Sequence, residues 1–175
     1  MLALNSIFFH MVMDERYRDL SLFQMEGNMG LVDFLVHYSS PFITQRVRTL
    51  RLRPYFIRQL LEAREAGLVE DDLYNETIYR LEALLGSFTQ LRECHIAWYN
   101  SDISCGGGTE NLLRKALTAS TRLRKLSLVL SLPKLGALLA PDTTGLELDL
   151  EELEISILPP EDDVVGNQNL SMFEL

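Results

Sequence analysis

LRECHIAW, residues 91–98, carries the pattern that decides how this chain reads. Leu91, Cys94 and Ile96 are its apolar positions, and His95 stands between the last two. LRKLSLVL, residues 123–130, repeats the pattern with Leu123, Leu126 and Leu128. LEELEISI, residues 150–157, does so with Leu150, Leu153 and Ile155. Upstream, VRTLRLR supplies Val47, Leu50 and Leu52, and YRDLSLF supplies Tyr17, Leu20 and Leu22. Five copies of L-x-x-L-x-L recur too regularly for coincidence. Within each copy the fourth and sixth positions alternate, so both fall on one side of an extended strand. The residue between them is polar: Ser21, Arg51, His95, Ser127 and Glu154. Each copy therefore predicts a strand with one buried and one wet face.

Helical periodicity fills the intervals. NETIYRLEALLGSFTQ places Ile78, Leu81, Leu84 and Leu85 on one stripe, with Asn75 as the expected N-cap. GTENLLRKALTAS sets Leu112, Leu113 and Leu117 on another, with Thr109 as the expected cap. NMGLVDFLVHYSSPF does the same with Leu31, Phe34 and Leu35, and Pro41 limits its length. PYFIRQLLEAREAG is a further helix, stopped by Gly67. The copies start at 17, 47, 91, 123 and 150, with two helical segments in the long second interval. Alternating strands and helices predict right-handed crossovers and parallel strands. The fold expected is α/β, a solenoid of about five strand–helix units with a parallel sheet. The expected organisation is an N-terminal remnant or cap over 1–16, a repeat domain over 17–158, and an acidic, flexible tail over 159–175.

Composition fits a globular chain of one domain's size: 175 residues, 47% hydrophobic and 23% charged. Cys94 and Cys105 have no CxxC spacing and are too few for a disulfide framework, so free thiols in a reducing compartment are expected. MLALNSIFFHMVM has no basic residue before its apolar run and no small-residue cleavage site, so it does not read as a signal peptide. No stretch supplies the roughly 20 apolar residues of a membrane span. Cytoplasm or nucleus is the expected location, and no membrane partner is expected. The net charge of −9 is unevenly placed. Residues 1–134 hold 16 basic and 15 acidic residues, while 135–175 hold ten acidic residues and no basic one. A nearly neutral body with an acidic end argues against nucleic acid as the main partner.

The stretches YRDLSLF, VRTLRLR, LRECHIAW, LRKLSLVL and LEELEISI resemble leucine-rich repeat proteins. More narrowly, DERYRDLSL followed by PFITQRVRTLRL is similar to the irregular repeat region of fungal F-box proteins. The resemblance spans residues 17–157 and implies substrate recognition for an F-box-type ubiquitin ligase, with the cullin ligase adaptor as a second partner. The Asn or Cys that often follows the third apolar position is replaced by Tyr99, Ser131 and Leu158. The sixteen residues before YRDLSL show no F-box, so a truncated product or a copy lacking the docking module is expected.

Motifs for chemistry are sparse. SCGGGTEN, residues 104–111, stands between a strand and a helix, where a phosphate-binding loop would sit. It matches neither GxGxxG nor GxxxxGK[ST], and Glu110 adds negative charge. A small α/β nucleotide- or metabolite-binding domain using this loop stays as an alternative, as does a fragment of a longer repeat protein. Cys94 and His95 alternate to opposite faces, so they do not make a metal pair. His10, His37 and His95 lack any hydrolase context, and there is no GxSxG elbow. No catalytic residue, metal or cofactor is assigned, and the chain is not expected to be an enzyme. RVRTLRLRPYFIR concentrates arginines that suit an anionic partner or an exposed strand face. The candidate protein-binding residues are those of the wet face: Arg51, Arg53, His95, Lys125, Ser127, Glu152 and Glu154. Charge along that line passes from basic to acidic, which suits a protein partner of complementary order.

Overall fold

The computed structural model describes residues 2–22, 31–99, 102, 108–139 and 148–159. Five strands form one sheet: β1 (Asp19–Leu22), β2 (Thr49–Leu52), β3 (Glu93–Trp98), β4 (Lys125–Leu130) and β5 (Glu152–Ile157). They lie in chain order and every neighbouring pair is parallel. The class is therefore α/β, as the alternation predicts. Seven helices are seen among the described residues: α1 (Leu2–Arg16), α2 (Leu31–Tyr38), α3 (Pro41–Thr44), α4 (Tyr55–Glu65), α5 (Asp71–Gly86), α6 (Thr109–Thr118) and α7 (Leu132–Leu138).

Register follows the sequence copies. Leu20, Leu50, Cys94, Leu126 and Leu153 are partners across the sheet, and so are Leu22, Leu52, Ile96, Leu128 and Ile155. Identical copies pair without slippage because a shift by one residue would turn every leucine to the wet face. From β1 to β4 these rows are buried and pack against helices. α5 contributes Leu81, Leu84 and Leu85, and α6 contributes Leu112, Leu113 and Leu117. Cys94 lies wholly inside this core, where burial pushes its thiol up to about 12. It acts as a small apolar side chain.

Local chemistry sets the helix limits. α4 ends on Gly67 at φ 70, and the N–H groups of Leu68 and Gly67 donate to the carbonyls of Ala63 (2.8 Å) and Arg64 (2.9 Å). Only glycine takes that left-handed turn without strain. α5 starts earlier than the apolar stripe suggests. Glu70 is its N-cap and Asp71 and Asp72 occupy its first turn, so Asn75 is inside the helix and caps nothing. Two carboxylates at a helix start oppose the positive end of its dipole, which the apolar periodicity does not register. α6 is capped by Gly108, and Thr109 is its first residue rather than its cap. Pro41 does more than limit α2: it opens α3, where its missing N–H costs nothing.

Segment 1–16 is mostly α1, a helix with Ile7, Phe8, Phe9, Met11 and Val12 all exposed. It meets α3 through the Phe9 and Phe42 rings, whose centroids are 6.1 Å apart. Among the described residues no helix is long and apolar enough to cross a membrane. Residues 160–175, most of the expected tail, lie outside the described residues.

Candidate interaction surface

α2, α4, α5, α6 and α7 pack on one side of the sheet, and the other side carries the polar alternates. The pairing aligns Ser21, Arg51, His95, Ser127 and Glu154 in one cross-strand row. Asp19, Thr49, Glu93, Lys125 and Glu152 form the row before it. Apart from buried Thr49, these residues are half-buried or exposed. A parallel sheet is usually covered on both faces, and among the described residues no helix covers this one.

Six of the seven residues expected at the site fall on this face: Arg51, His95, Lys125, Ser127, Glu152 and Glu154. Their charges are partly spent on one another. Lys125 Nζ lies 2.7 Å from Glu152 Oε1. That hydrogen bond, opposed by some desolvation and helped by the charges of Glu152, Glu93 and Glu154, raises the lysine pKa. Ser127 Oγ donates to Glu154 at 3.4 Å, and His95 Nε2 is 3.8 Å from Glu93 on its own strand. Arg51 is exposed, and its guanidinium has no ion pair or hydrogen bond among the described residues. The face thus keeps a free cation at β2 and a carboxylate surplus at β5.

Arg53 stands elsewhere. It follows the end of β2, where its N–H donates to the Leu22 carbonyl at 2.8 Å. Its guanidinium reaches the loop after β3 and lies 3.1 Å from Asp102 Oδ1. The Asp102 side chain is 0% exposed. Its Oδ2 also accepts the Tyr99 N–H at 2.9 Å. The Arg53 guanidinium carbon sits 5.2 Å from the Tyr55 ring centre and 4.9 Å from that of Tyr99, within cation–π range. Beside it, Lys134 Nζ donates to the Tyr99 carbonyl at 2.6 Å and lies 5.0 Å from the Trp98 ring. This cluster braces the carboxyl ends of β2, β3 and β4, and none of its members except Arg53 is evident from the sequence. The one local signal is Asp102 three residues after Tyr99, a spacing that closes a turn through the carboxylate.

Residues 104–107 of the glycine-rich stretch, Cys105 among them, lie outside the described residues. The helix that follows carries Glu110 in its first turn, the least favourable sign for a phosphate there. Cys94 and His95 point to opposite sides of β3, one in the core and one on the open face. Among the described residues no three His, Cys, Asp or Glu side chains gather as a metal site. Comparison with family models, with curated proteins and with solved structures gave no match.

Proposed function

We propose that the chain is a leucine-rich-repeat-like solenoid of the cytoplasm or nucleus that binds other proteins along its open face, without catalysis. The observation that carries the reading is the register of the five copies. Each polar alternate falls beside its counterpart in the next strand, so one residue per copy builds a continuous row from Ser21 to Glu154. Repeat domains use such extended, one-residue-per-repeat surfaces for protein recognition. The row offers Arg51 near one end and Glu154 at the other, which sets the direction of a bound segment. The resemblance to fungal F-box proteins would make the bound protein a ubiquitin ligase substrate.

The test is quantitative mass spectrometry of proteins captured from cells by the tagged chain and by an Arg51→Glu, Glu154→Lys variant. Both positions are exposed, so the variant should fold normally. Arg53 is left intact because it neutralises the buried Asp102. The expected result is a defined set of partners lost from the variant, and recovery of the cullin ligase adaptor would support the ligase role. Equal recovery by both proteins would overturn the open-face reading.

A further inference from the structure

The first apolar residue of each copy has charged or amide neighbours on both sides. The triplets are Arg16-Tyr17-Arg18, Arg46-Val47-Arg48, Gln90-Leu91-Arg92, Arg122-Leu123-Arg124 and Asp149-Leu150-Glu151. Seven of the chain's 16 basic residues sit in these flanks. The backbone places them in register at the amino-terminal rim of the sheet. The Arg18 carbonyl accepts the N–H groups of Arg48 (2.8 Å) and Thr49 (3.1 Å). The Arg48 carbonyl accepts those of Arg92 (2.7 Å) and Glu93 (3.0 Å), and the Arg92 carbonyl those of Arg124 (2.8 Å) and Lys125 (3.0 Å). Arg124 closes the series on Glu151 and Glu152. Four arginines thus stand one strand spacing apart, about 4.8 Å per step. A fifth rung, Glu151, has the opposite sign.

We propose that this rim binds an acidic peptide segment of a partner protein, whose carboxylates pair with Arg18, Arg48 and Arg92. Two of the flanking arginines already meet carboxylates of the chain itself. Arg124 pairs with Glu151. Arg46 Nε lies 2.8 Å from Asp14 Oδ1, although its N–H is not aimed for a hydrogen bond. The other guanidinium groups of the row have no ion pair among the described residues. Arg18 and Arg92 are exposed, and their guanidinium groups have no hydrogen bond or ion pair among the described residues. Arg48 Nη1 spends itself on the neutral carbonyls of Gln45 (2.9 Å) and Gln90 (3.5 Å), and Arg122 on the Gln90 side chain (2.5 Å). The Arg48 guanidinium is pulled below its usual range by burial and by repulsion from Arg92, Arg122 and Arg46, against the attraction of Asp14. Like charges held this close on a fixed backbone favour an external anion, and a guanidinium fits a carboxylate in two parallel hydrogen bonds. A peptide is favoured over nucleic acid because the row ends on Glu151, opposite which a peptide can place a neutral or basic residue and a uniformly charged polyphosphate cannot. The rim is a different surface from the open face, so the two readings fail separately.

The experiment is fluorescence anisotropy of a labelled oligoglutamate peptide titrated with the full chain. An oligolysine peptide and a single-stranded oligonucleotide of matched charge are run beside it. The variant is Arg18→Ser, Arg92→Ser, with an unchanged melting temperature required as the sign of a normal fold. The expected result is salt-sensitive binding of oligoglutamate, none of oligolysine, and affinity weakened about five- to tenfold in the variant. Arg51→Ser should bind oligoglutamate as the parent does. Absence of oligoglutamate binding, or equal binding by the rim variant, overturns the proposal. An oligonucleotide that binds more tightly and displaces the peptide overturns it in favour of a nucleic-acid site.

Discussion

β4 and β5 carry the same pattern and meet residue for residue, yet they have opposite fates. Leu126, Leu128 and Leu130 are 2%, 1% and 0% exposed, whereas Leu153, Ile155 and Ile157 are 55%, 40% and 45% exposed. The difference is not in the strands. β4 has a strand on each side and packs into the core with α6 and α7. β5 is the edge of the sheet, and among the described residues no helix follows it. An L-x-x-L-x-L copy therefore carries its register with it, but its burial is supplied by the next unit. That is the physics of a stacked chain, in which each unit contacts only its neighbours.

The largest expected effect tests this contrast directly. Leu128→Ala should cost about 2–5 kcal/mol in urea denaturation, because it empties a closed site. Ile155→Ala, at the same register position, should cost no more than about 1 kcal/mol, because much of that side chain already meets water. Equal costs would mean that β5 is buried in solution and that the contrast is not real.

The ion pairs that join neighbouring strands sharpen it next. β2 and β3 are cross-braced by Arg53 and buried Asp102, whereas β4 and β5 are joined by the exposed pairs of Lys125 with Glu152 and Arg124 with Glu151. Asp102→Ala should cost about 2–3 kcal/mol, because it strands the Tyr99 N–H and the Arg53 charge together. Lys125→Ala should leave the melting temperature where it is, since an exposed pair contributes little. A double-mutant cycle on Arg53 and Asp102 would separate the ion pair from the turn that Asp102 closes.

The last contrast concerns alkaline pH and separates β3 from β5 chemically. The Cys94 thiol is raised from an unfolded value of about 8.5 to about 12 by burial. The folded chain therefore keeps a proton that the unfolded chain loses. Its contribution is complete below the unfolded value and is lost as pH rises through that window, by at most about 1.4 kcal/mol per pH unit. Alkaline denaturation should thus be less steep in Cys94→Ala than in the parent. Identical slopes would place the thiol in contact with water.

Much of the fold was legible because the relevant physics is local. Period-two alternation fixed which side of each copy faces the helices from β1 to β4, and copy spacing left room for the helices between strands. Once identical copies pair, the row from Ser21 through Arg51, His95 and Ser127 to Glu154 follows without further information. Helix starts were less legible: the acidic first turn of α5 is a dipole effect that an apolar stripe does not reveal. The Arg53 and Asp102 pair spans 49 positions of sequence and depends on how two loops approach, which no periodicity encodes. The arginine rim was visible as letters, but only the carbonyl ladder showed that its members are neighbours. The sequence by itself determined the unit, its faces and its register, because these depend on residues a few positions apart. The tertiary structure alone decided which leucines are dry, which charges are spent and which remain free, because those depend on what the neighbouring unit brings.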